Sequence, residues 1–77
     1  MTDKVYRTRI IEDPDIMGGR PVIAGTRITV ESILRYLGEG MAAEELLNEF
    51  PQLTREDIRA AQAYAADMMA DEEIIIL

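Results

Sequence analysis

The chain has 77 residues, no cysteine, no histidine and a formal charge of −7. That length allows one domain, 1–77, with a marginal core that buries roughly 60% of the surface its unfolded chain exposes. Without cysteine or histidine, disulfides, thiolate nucleophiles, the usual zinc sites and imidazole catalysis are excluded, and a reducing cytoplasm fits the composition.

Val5 to Ile11 alternates like a strand, with Tyr6, Thr8 and Ile10 on one face and Val5, Arg7, Arg9 and Ile11 on the other. Glu12-Asp13-Pro14-Asp15 breaks it, because proline fixes φ and lacks a backbone donor. Gly18 and Gly19 mark a further turn. Pro21-Val22-Ile23 and Arg27-Ile28-Thr29-Val30 then read as the two arms of a small hairpin around Ala24-Gly25-Thr26, with Gly25 supplying the positive φ. Arg27, directly after the tight turn, is expected to tie down its carbonyls.

Thr29 is a good N-cap for a first helix over about 30–38, whose Val30, Ile33, Leu34 and Leu37 form one apolar stripe. Gly38 and Gly40 stop it. A second helix over about 42–49 carries Ala43, Leu46, Leu47 and Phe50 on one face and ends at Pro51. Thr54 caps a third over about 55–69, with Asp57 placed as in a capping box and Ile58, Ala61, Ala65 and Met68 as the inner stripe. The division expected is a β element over 1–30, three helices over 31–70 and an apolar tail over 71–77. No secretory leader, membrane span, internal repeat or cofactor motif is read from the sequence, and a second copy is expected to support so small a core.

The charge is unevenly placed. Residues 1–35 carry a net +1, whereas residues 36–77 carry only Arg55 and Arg59 against ten acids, a net −8. An acidic chain repels nucleic acid at long range, so DNA binding would need a local basic patch and a dimer or partner. Helices two and three, joined by Phe50-Pro51-Gln52-Leu53-Thr54, have helix-turn-helix dimensions. Arg55, Arg59 and Gln62 recur opposite the apolar stripe, where arginine reaches guanine edges or phosphates and glutamine reaches adenine. The alternative is a solvated face on which Arg59 pairs with an acid such as Glu56. Arg7, Arg9, Arg20 and Arg27 form a second candidate patch, and Arg7 and Arg9 project from one strand face as ligand candidates. Structural pairing of these arginines with Glu12, Asp13 or Asp15 is the competing role.

The glycine-rich segment lacks the Gly-Lys-Ser/Thr ending of a phosphate loop, and Asp13/Asp15, Glu44/Glu45 and Asp71-Glu72-Glu73 have no spacing that predicts a converging metal site. No catalytic pair is visible, so an enzyme is not expected. Ile74, Ile75, Ile76 and Leu77 make an apolar run expected to be covered, by the core or by a partner.

Ile16, Gly18-Gly19-Arg20-Pro21-Val22-Ile23 and Gly25-Thr26-Arg27-Ile28-Thr29-Val30 resemble the signature of the domain-of-unknown-function 433 family. Asp13-Pro14, Gly40, Glu44-Glu45-Leu46-Leu47, Phe50-Pro51-Gln52-Leu53-Thr54, Asp57-Ile58 and Ala60-Ala61 extend the resemblance over about 10–66. It departs at Met41, where a small capping residue such as serine is usual. The family is similar to VapB-type antitoxins with small winged-helix-like or homeodomain-like helix-turn-helix folds. The resemblance therefore implies a cytoplasmic, non-enzymatic regulator that neutralises a PIN-like ribonuclease toxin and binds operator DNA through Arg55 and Arg59. The fold expected is α+β, a short N-terminal β-hairpin element followed by a three-helix bundle, and the partners implied are that toxin, operator DNA and a second copy. A dimerisation or interaction adaptor without DNA binding is the alternative function.

Overall fold

Local capping chemistry sets the starts of all three helices. The computed structural model describes residue 6 and residues 8–70, so Arg7 and the tail residues Ile74, Ile75, Ile76 and Leu77 lie outside the described residues. Helix α1 spans Val30–Gly38, α2 Ala43–Glu49 and α3 Arg55–Ala70. At α1, Thr29 Oγ1 accepts from the Ser32 backbone N–H at 3.0 Å, and Ser32 Oγ donates back to the Thr29 carbonyl at 2.9 Å. The helix ends in a Schellman arrangement: the Gly40 N–H donates to Leu37 O at 3.0 Å and the Met41 N–H to Tyr36 O at 3.1 Å. Gly40 takes φ +106°, a conformation that a side chain would strain. Ala42, not Met41, is the N-cap of α2, and Glu45 supplies the cap by accepting from the Ala42 N–H at 2.8 Å. At α3, Asp57 N–H donates to Thr54 Oγ1 at 3.1 Å while Asp57 Oδ2 accepts from the Thr54 N–H at 3.0 Å, which completes the expected box.

The β element differs from the sequence reading. Strand β1 is Ile10–Ile11 and β2 is Val22–Ile23, paired antiparallel with Ile10 opposite Ile23 and Ile11 opposite Val22. Among the described residues of the expected strand over 5–11, only Ile10 and Ile11 are in a strand, because the Arg9 and Ile10 N–H groups both donate to Tyr6 O at 3.0 Å. The expected hairpin between 21–23 and 27–30 reduces to one bridge, Val22 to Thr29. Val30 already opens α1 and Thr29 is its cap, so the helix takes the residues the second arm needed. Thr26, not Arg27, ties the turn: its Oγ1 donates to Ile23 O and accepts from the Ile28 N–H, both at 2.9 Å. Gly25 sits there at φ +83° as expected, while Arg27 is exposed. Gly18 and Gly19 also take positive φ, in a short 3-10 turn over Met17–Gly19.

The core is one cluster of Ile10, Ile23, Val30, Ile33, Leu46 and Leu53 with Ile58, Ala60 and Ala61 of α3. The α1 and α2 stripes face it as expected, with Leu34, Leu37, Ala43, Leu47 and Phe50 partly buried around it. The α3 stripe does so only at Ile58 and Ala61, with Ala65 half-buried and Met68 outside the core. Asp57, Ile58, Ala60 and Ala61 are its buried residues, and Met68 is 45% exposed. Alanine at 60 and 61 brings α3 close at its first half, and its last turns run past the core.

The N-terminal segment is stapled along that helix. Arg9 Nη1 donates to Asp57 Oδ1 at 3.0 Å, Tyr6 Oη to Asp67 Oδ2 at 2.8 Å, and Tyr64 Oη to Glu12 Oε2. The Tyr6 and Tyr64 rings meet edge to face with centroids 5.2 Å apart.

Candidate functional site

Two surfaces collect the residues of interest. The first is the exposed face of α3. Arg55, Arg59 and Gln62 line one cleft of about 190 Å³, floored by Leu37, Ala43 and Ile58 from all three helices. The α3 cap fixes the first turn, and three- and four-residue steps then stack these side chains. Arg55 is ion-paired with Glu44 of α2 across the inter-helix turn. Arg59 is exposed and has no carboxylate within 4.0 Å among the described residues, so the pairing with Glu56 weighed from spacing gives way to Arg55 with Glu44.

The structure separates Arg9 from that face. Its guanidinium meets the buried Asp57 carboxylate, with side-chain exposures of 39% and 8%. Arg9 therefore holds the N-terminal turn to the start of α3. Nothing in local spacing announces a contact between residues 48 positions apart.

The second surface is an open groove of about 670 Å³ between α1 and the C-terminal half of α3. Leu34, Tyr64, Ala65, Met68 and Met69 give it apolar walls, and Arg20, Glu31 and Arg35 stand at its rim. Both arginines converge on Glu31, Arg35 at 2.7 Å and Arg20 at 3.9 Å. The hydrogen bond from Arg35, then the charges of Arg35 and Arg20, hold the Glu31 carboxyl below its ordinary range. The sequence reading placed Met68 in the core and so missed this groove. The signal present was α3's length, 16 residues against 9 for α1 and 7 for α2.

Beside the groove, burial, followed by the hydrogen bond to Glu12 and its charge, pushes the Tyr64 hydroxyl up to about 12. Its proton is retained in the folded state and lost near pH 10 in the unfolded chain, so the unfolded state binds fewer protons between those values. The Tyr64 contribution to stability is expected to be constant below about pH 10 and to be lost as pH rises toward about 12. Denaturant midpoints across that range should lose this slope in Tyr64→Phe; an identical slope in the variant would assign it elsewhere.

Among the described residues, no group of three or more acids is placed to hold a metal ion, and no helix is long and apolar enough to cross a membrane.

A short antiparallel strand pair followed by three capped helices defines a small α+β domain. The chain belongs to the family described as Protein of unknown function (DUF433), which it matches over residues 10–65. It is 39% identical over 59 residues to the uncharacterized protein y4eO of Sinorhizobium fredii, covering 77% of this chain and 27% of that protein. The chain thus spans about a quarter of the length of that curated relative. The crystal structure of a DUF433 member from Anabaena variabilis is similar at a TM-score of 0.76 and 35% identity, over 87% of this chain and 68% of that one.

Proposed function

We propose that this chain is an antitoxin-like regulator of the VapB type, in which α2, the Phe50–Thr54 connection and α3 act as a helix-turn-helix of homeodomain-like or winged-helix-like kind. The observation that carries this reading is the shared exposed face of Arg55, Arg59 and Gln62 on the helix that follows the short connection. Operator DNA is the ligand of that face, with α3 as the recognition helix. A PIN-like ribonuclease is the protein partner, engaged by the acidic helical half and the apolar tail. The reading assigns no catalytic step to this chain and places it in the cytoplasm as a homodimer.

One observation favours a second reading, an interaction adaptor without DNA binding. Arg55 is already neutralised by Glu44 on a chain of net charge −7. Salt dependence separates the two. Two arginines on each of two copies neutralise about four phosphates, which gives a log–log salt slope of about −3.6. Affinity for a labelled duplex from the region upstream of its own gene is then expected to fall about 150-fold between ~50 and ~200 mM salt. A flat response, or no binding at low salt, selects the adaptor. Purification from native lysate with a small nuclease at near-equal stoichiometry is the expected companion result.

A further inference from the structure

Resting on the DNA reading above, we propose that Glu44 sets the affinity of the α3 face: its carboxylate occupies Arg55 in the free protein, and a DNA phosphate must take its place.

The two arginines of the face are held differently. Arg55 opens α3, directly after the connection, and its Nη2 donates to Glu44 Oε2 of α2. Arg59, one turn on, stands ready for a ligand. The terminal nitrogens of a guanidinium are the atoms that meet phosphate oxygens or a guanine edge, so Glu44 stands where the ligand would. Among the described residues Arg55 makes no bond through Nε. The carboxylate therefore does not brace the side chain from behind and leave its fork free.

Helix α2 does not need Glu44 for its own start. Of the two acids in its first turn, Glu45 makes the cap by accepting from the Ala42 N–H at 2.8 Å, and Glu44 reaches across to α3 instead. The pair is open to water, with side-chain exposures of 56% for Arg55 and 70% for Glu44. A pair this exposed contributes little to stability and opens by side-chain rotation.

The exchange makes the face selective for a polyanion. A single phosphate only trades one anion for another at Arg55. Duplex DNA also brings a phosphate to Arg59, and the counterions released there drive the exchange. Glu44 is then left as a lone negative charge beside the backbone. In water, such a charge about 7 Å from one phosphate lowers affinity about threefold, or roughly sevenfold for the two faces of a dimer.

Fluorescence anisotropy on the full chain tests this, with a labelled duplex from the region upstream of its own gene at ~50 mM salt. Glu44→Gln keeps the shape of the side chain and is expected to bind about sevenfold more tightly than wild type. Asp15→Asn, at an exposed loop position outside the cleft, removes the same formal charge and is expected to change affinity less than about twofold, because screening weakens distant charges. If Glu44→Gln binds no more tightly than wild type, or Asp15→Asn gains as much, the proposal is overturned and DNA binding stands. A loss of affinity in Glu44→Gln would instead make Glu44 a positioning residue for Arg55. No binding by wild type or by either variant overturns the DNA reading and the proposal with it. Binding by Glu44→Gln alone supports both.

Discussion

Alanine at both Arg55 and Arg59 is expected to abolish binding to duplex DNA and to leave nuclease neutralisation unchanged. Both side chains are exposed on α3, and neither belongs to the core cluster. Removing Arg55 breaks only its ion pair with Glu44, whose partners are 56% and 70% exposed, and pairs of that kind contribute about 0–1 kcal/mol. Alanine is also the better helix former, so the fold is retained. The electrostatic loss is larger. About four phosphate contacts disappear from a dimer, and the salt slope drops from about −3.6 toward zero. Glu44, freed of its partner, then adds a repulsive charge beside the phosphates. Fluorescence anisotropy across a salt series measures the first effect, and ribonuclease inhibition by the same preparation measures the second. Equal loss of both activities would sink the assignment of DNA and nuclease to separate surfaces.

The helices were legible because their ends are decided by neighbours in sequence. Thr29 with Ser32, and Thr54 with Asp57, are three residues apart, and each pair forms the bond its spacing predicts. The family was legible for a related reason, since its glycine, proline and arginine blocks are short and contiguous. The strands were harder. Val22 and Ile23 had two candidate partners of similar composition, and the choice fell to Ile10–Ile11 once Thr29 and Val30 were recruited to α1. The apolar period of α3 continues to Met68, but a period reports which face is apolar and not how far the partner helices extend. The arginine face of α3 was legible as one face, because helical geometry alone groups Arg55, Arg59 and Gln62. Its ion pair with Glu44 was not, because it depends on how α2 crosses α3. The same limit hid Arg9 with Asp57 and Tyr64 with Glu12, which join elements 48 and 52 residues apart.

Asp57→Ala is expected to be the most destabilising change at a polar position. The Asp57 carboxylate lies in a residue only 6% exposed and serves two ends of the molecule. One oxygen closes the α3 cap on the Thr54 N–H and the other meets Arg9. Losing a cap costs about 0.5–2 kcal/mol. Leaving the Arg9 guanidinium without its carboxylate adds about 1 kcal/mol, less than for a fully buried charge because 39% of that side chain is exposed. The total of about 1.5–3 kcal/mol is large against the roughly 4–12 kcal/mol available to a domain of 77 residues. It corresponds to a fall of about 6–24 °C in Tm. Asp57→Asn keeps an acceptor for Thr54 and should recover about half the loss, and Arg9→Ala combined with Asp57→Ala should be less than additive. Urea unfolding with an unchanged slope measures each value, and a loss below about 0.5 kcal/mol in Asp57→Ala would remove the residue from its proposed place. The consequence for function follows from position. Asp57 sits between Arg55 and Arg59 in the first turn and a half of α3, so fraying there disperses the arginine face. DNA affinity should therefore weaken together with stability in Asp57→Ala, whereas in the double arginine variant it weakens with stability unchanged. That contrast separates the residues that contact the ligand from the one that holds them in place.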